Sequence, residues 1–140
     1  MNFERFAENL LELDNRIIFV GIVNDQYNLL HSCFREEAKL HSDPKIIRNF
    51  MALAPRLTMN ELEKSKPNLG SVSSVLVRFA KRVFIFSRYD DYVIVVGLDV
   101  DVQTPLPDLV AKLIKDAAGR APDLPVPLQK VEVSATTKSI

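Results

Sequence analysis

Near the N-terminus the apolar residues recur at helical spacing. Phe3, Phe6, Ala7, Leu10 and Leu13 share one side, and Glu4, Arg5, Glu8 and Asn9 take the other. The pattern predicts an amphipathic helix ending near Asp14-Asn15. The period then changes. Ile17 through Val23 is an unbroken apolar run rich in β-branched residues, which predicts a strand covered on both faces. Asn24-Asp25-Gln26 supplies turn chemistry, and Tyr27 to Phe34 reads as the returning strand of a hairpin.

Ser42 or Asp43 is placed to cap a second helix, with Pro44 at its first position, where the missing N–H costs nothing. Ile46, Ile47, Phe50, Met51, Leu53 and Ala54 follow on one broad face. Pro55 removes a hydrogen bond and clashes with the preceding turn, at about 3 kcal/mol in a helix interior, so a break or kink is expected there. A further helical piece from Met59 to Lys64 is expected before Pro67-Asn68-Leu69-Gly70 stops it. Three strands come next, Val75–Phe79, Val83–Phe86 and Tyr92–Val100, joined through Ala80-Lys81-Arg82 and Tyr89-Asp90-Asp91.

Thr104-Pro105 opens the last helix, with Leu106, Leu109, Val110, Leu113 and Ala117 on one face, Asp108 near its N-terminus and Gly119 as its stop. Residues 121–127 carry Pro122, Pro125 and Pro127 and read as an extended spacer. The end of the chain is poor in apolar residues and reads as a mobile tail. The expected layout is a domain over 1–119, ordered α-β-β-α-β-β-β-α, and a Pro-containing tail over 120–140.

Composition narrows the function classes. Eighteen basic and eighteen acidic residues cancel, so no overall field draws the chain to nucleic acid or an acidic membrane. The longest apolar runs are far too short to span a bilayer. A lone cysteine, Cys33, suits a reducing compartment, and a cytoplasmic location is expected. Glycine occurs at Gly21, Gly70, Gly97 and Gly119 only, so no loop is rich enough in it to cradle a phosphate, and no cofactor is expected. Gly21 and Gly97 lie inside strand runs and are expected to mark facing positions where a helix comes close.

Several residues carry candidate chemistry. His31 and Cys33 share a strand face, with His41 and Glu36 or Glu37 a few residues on, but the spacing fits no zinc signature. Cys33 is more simply a small core residue. Asp90-Asp91 and Asp99-x-Asp101 fit turn geometry better than cation binding. Arg78, Lys81, Arg82 and Arg88, interleaved with Phe79 and Tyr89, form a weak basic patch that a solvated turn explains better than nucleic-acid binding, and no nucleic-acid partner is expected.

The order helix, hairpin, helix, three-stranded meander, helix resembles the roadblock/dynein-light-chain superfamily, with profilin-like domains as architectural relatives. The stretches Ile22-Val23-Asn24, Arg56-Leu57-Thr58-Met59, Leu69-Gly70-Ser71-Val72 and Lys81 through Ser87 also look like a family of small archaeal proteins with no catalytic residues to carry over. The roadblock resemblance implies an α/β fold with a five-stranded antiparallel sheet in the order 2-1-5-4-3 and helices on both faces. It further implies a homodimer built on the middle helix and the strand after it, serving as a platform for a small GTPase or scaffold partner. Ile46, Ile47, Phe50, Met51, Val75, Val77 and Phe79 are then the candidate interface, although the same residues could fill the chain's own core. Two other readings stand beside it. One is a small-molecule sensor of the profilin or PAS type with a pocket opened near Pro55, and the other is an enzyme using His31 and Cys33.

Overall fold

The computed structural model describes residues 2–40, 42–65, 68–99 and 106–120. In chain order the elements are α1 (Phe3–Leu13), β1 (Ile17–Val23), β2 (Leu29–Phe34), a 3-10 turn (Glu36–Leu40) and α2 (Pro44–Pro55). A π turn (Arg56–Asn60) leads into α3 (Glu61–Lys64), followed by β3 (Ser74–Arg78), β4 (Val83–Tyr89), β5 (Tyr92–Leu98) and α4 (Leu106–Gly119). The strands form one antiparallel sheet in the order β2-β1-β5-β4-β3, as expected. His41, Pro67, Val100, Asp101, the helix start at Thr104-Pro105 and the tail from residue 121 onward lie outside the described residues.

The uniformly apolar β1 and β5 sit at the sheet's centre and are buried on both faces. Along β5, Tyr92, Ile94, Val96 and Leu98 pack with α1 and α4, while Val93 and Val95 pack with α2. β1 breaks this alternation. Its register against β5 slips between Ile17 and Phe19, so Ile18 and Phe19 both join the α2 layer and Ile17 and Val20 the other.

α1 is fixed at both ends. Asn2 Oδ1 accepts the Arg5 N–H at 2.9 Å, a helix cap. At the other end the Arg35 guanidinium, just past β2, donates to the carbonyls of Leu11, Asp14 and Ile17. These include helix-end acceptors that have no partner of their own along the helix.

The break or kink expected at Pro55 takes the form of a π turn rather than an interruption of the helix. Asp43 caps α2 by accepting the Lys45 N–H at 3.0 Å, and the helical path runs through a buried Pro55 into the π turn. A π turn absorbs one extra residue, which accommodates the ring without ending the helix. The Thr58 hydroxyl donates to the Ala54 carbonyl at 2.8 Å and adds a partner in the widened turn. Pro55 and Met59 are buried at this turn.

Smaller departures have local causes. Tyr27 takes a positive φ of 63° in the turn, where the Asn24 side chain accepts the N–H of Gln26 and of Asn28, so β2 begins at Leu29. β4 runs on to Tyr89, because Tyr89 pairs with Tyr92 across a two-residue turn in which Asp90 has φ 55°. Gly21 meets α2 as expected, since a Cβ there would lie 2.8 Å from Met51 Sδ. Gly97 is different. It is flanked by strand side chains, Phe19 and Phe84, and it pairs with Phe19 rather than facing Gly21.

Candidate functional site

α2 is apolar on two sides. Inward, Met51 and Pro55, then Met59 of the π turn, are buried, and Ile47, Phe50 and Ala54 pack beside them over the sheet. Outward, Ile46, Leu53 and Leu57 are 64%, 52% and 59% exposed. Those three lie at i, i+7 and i+11, one stripe of a helix. Leu62, also exposed, follows five residues later, and the extra residue of the π turn keeps it near the same side.

At one margin the stripe meets aromatic rings. Phe50 lies 4.6 Å from Phe84, 5.5 Å from Phe79 and 6.1 Å from Phe86, between ring centroids. Phe79 itself is about half exposed. It stands just beyond β3, the strand that ends the sheet on this side. Phe79 N–H donates to the Arg82 carbonyl at 2.8 Å and Arg88 N–H to the Ser73 carbonyl at 2.9 Å. In an antiparallel pair these bonds recur at every second residue, so Val75 and Val77 direct their backbone groups to β4. Ser74, Leu76 and Arg78 turn theirs to the open side, which has no strand partner among the described residues.

The expected interface residues divide accordingly. Ile46 and Phe79 are exposed, and Ile47, Phe50, Val75 and Val77 are half-buried against the chain's own core. Met51 leaves the set. It is wholly buried over Gly21, whose missing Cβ makes room for it, so it has no surface to offer a second subunit. Leu57, Leu62 and Leu76 were missed by sequence reasoning, and Leu53, read on the one broad face of α2, was left out of the interface set. The repeat of large apolar residues at 46, 53 and 57 among Lys45, Arg48, Asn49 and Arg56 was the available signal.

The basic residues do not form one cationic surface. Arg88 pairs with Glu63 at 2.9 Å and donates to the Val72 carbonyl at 3.1 Å, while Glu63 accepts the Val72 N–H at 2.8 Å. This knot ties α3 to the approach to β3. Arg82 pairs with Asp99 at 3.1 Å. Arg78 and Lys81 are exposed.

His31 and Cys33 face the α1 side of β2, opposite Ile22 and Val20. Burial pushes the Cys33 thiol up, and the carboxylates of Glu8 and Glu4 add to the shift. A nucleophile needs the reverse, a thiol whose proton leaves easily. Among the described residues no three of His, Cys, Asp and Glu gather as metal ligands.

Sheet order, helix placement and the exposed stripe together define a roadblock-like fold. Its similarity to solved structures covers most of the chain. MglB of Myxococcus xanthus aligns with a TM-score of 0.62 at 17% identity, over 89% of this chain and 100% of that one. A Roadblock/LC7 domain from Streptomyces avermitilis aligns with a TM-score of 0.58 at 15% identity, over 83% and 94%. An MglB with a tetrameric arrangement gives 0.59 at 12% identity, over 84% and 88%. No protein-family model and no curated protein sequence matches the chain.

Proposed function

We propose that the chain is a non-catalytic protein–protein interaction module. It forms a homodimer through the outer stripe of α2 and α3 and the open edge of β3, and offers the joined sheet as a platform for a small GTPase or scaffold partner. The observation that carries this reading is the run of exposed Ile46, Leu53, Leu57 and Leu62 beside an edge strand that has no outer strand partner among the described residues. A bare apolar edge is an aggregation hazard, and pairing with a copy of itself removes it. A two-fold axis places the same patch on both subunits, so one stripe covers the other. The likeness to an MglB with a tetrameric arrangement supports self-association. The raised thiol of Cys33 supports a role without nucleophilic catalysis. No helix among the described residues is long and apolar enough to cross a membrane, and we place the protein in the cytoplasm.

The test is the solution mass of the protein and of its Leu53→Arg/Leu57→Arg variant across a dilution series. Both positions are exposed, so the variant keeps its fold. A dimer that the variant loses supports the reading, and a monomer at every concentration removes it.

A further inference from the structure

At its other margin the sheet ends on β2, which has no outer strand partner among the described residues. Arg35 N–H donates to the Ile18 carbonyl at 2.9 Å, which sets the backbone bonds of Cys33 and His31 toward β1. Ser32 and Phe34 therefore direct their N–H and C=O groups outward. β2 holds no proline, lysine, arginine or carboxylate to discourage a further strand.

This edge opens on a groove of about 500 Å³ whose two walls differ in charge. On the α1 wall stand Glu4 and Glu8, both exposed, with no cation paired to them among the described residues. On the α2 wall stand Pro44 and Arg48 beside Phe34, with the Arg48 guanidinium 5.9 Å from the centroid of the Phe34 ring. Lys39 also lines the groove, but it pairs with Glu36 at 3.1 Å. The unmatched negative charge of the groove therefore lies on its α1 side.

We propose that β2 takes up an extended segment of a partner protein as a sixth strand, with basic side chains toward α1 and apolar ones toward α2. An added strand continues the sheet, so its side chains face the two helix layers alternately. Those on one side meet Glu4 and Glu8. Those on the other meet Phe34 and Pro44, where Arg48 turns a cation away. Backbone bonds to Ser32 and Phe34 supply affinity, and the two walls select the side chains.

A second copy is a poor occupant of the same edge. Antiparallel pairing of β2 with itself about a two-fold axis keeps each face of the sheet on its own side, which sets α1 beside α1. Glu4 and Glu8 would then meet like charges, and Arg48 would meet Arg48, an arrangement that repels.

The test is amide exchange on the full chain, with and without a short peptide of alternating lysine and valine. Bound peptide slows exchange of Ser32 and Phe34 roughly tenfold or more and leaves Leu76, on the β3 edge, unchanged. Glu4→Lys/Glu8→Lys weakens binding of this peptide roughly tenfold or more, and a peptide of alternating glutamate and valine binds that variant in its place. Both positions are exposed, and unchanged exchange of Val95 and Val96 shows that the variant is folded. Exchange of Ser32 and Phe34 that stays the same at millimolar peptide overturns the proposal, and so does binding indifferent to the charge exchange. Slowing without peptide that grows with protein concentration assigns the edge to a second copy, and slow exchange without peptide at every dilution assigns it to the chain itself. Either result also overturns the proposal. The readout sits on β2, away from β3, so its failure leaves the dimer reading untouched.

Discussion

Phe19 and Phe84 stack face to face across Gly97, with ring centroids 5.9 Å apart and planes 2° from parallel. The register explains it, since Gly97 pairs with Phe19 on one side and Phe84 on the other. A Cβ on Gly97 would stand 2.6 Å from Phe19 and 2.9 Å from Phe84. Phe84 in turn touches Phe50, so the glycine at the sheet's centre supports the margin of the α2 stripe.

Gly97→Ala therefore forces two rigid rings apart. It should lower stability by about 1–3 kcal/mol, read from the urea midpoint. Gly21→Ala should cost less, because it meets the flexible thioether of Met51 rather than two rings. An unchanged midpoint for Gly97→Ala would contradict this account of the ring stack.

Arg35→Met keeps most of the apolar stem and deletes the donors to Leu11, Asp14 and Ile17. About 1–3 kcal/mol should be lost. Amide exchange should quicken first in the last turn of α1, and a uniform loss across the sheet would point to another cause.

Asp14 gives a pH signature. Its carboxyl accepts bonds from the Arg16 side chain at 2.6 and 2.9 Å, and that pairing holds its pKa below the ordinary 3.8. A group with a depressed folded pKa contributes stability that is present above its unfolded pKa and lost as pH falls through the folded one. Asp14→Asn should be less stable near neutrality and should lose less than the parent between about pH 4 and pH 2. Urea midpoints across that range check the sign.

Cys33 should react with iodoacetamide more slowly than a free cysteine at neutral pH, because burial and two nearby glutamates hold its proton. The rate should climb as pH rises into the alkaline range. Fast, selective alkylation at neutral pH would revive the enzyme reading.

Much of the fold was legible because its centre is so apolar. Ile17–Val23 and Tyr92–Leu98 admit no exposed face, and that alone places them mid-sheet. The helix through Pro55 was not legible, since the penalty of a proline is local and the π turn that absorbs it has no sequence mark. Tyr27 was misplaced for a related reason. Its aromatic ring favours a strand, but the Asn24 side chain organises a turn that holds it at positive φ. Of the site, Ile46 and Phe79 were found as apolar residues, but a linear pattern does not say which of two apolar helix sides faces out. Leu53, Leu57 and Met51 needed the sheet beneath them to be assigned.

The central claim is that the α2 stripe and the β3 edge join two copies. Light scattering on the full chain across a dilution series tests it most directly. The account predicts a mass of twice 15.8 kDa that falls to 15.8 kDa in Leu53→Arg/Leu57→Arg. A mass of 15.8 kDa for the parent chain at every concentration would contradict it.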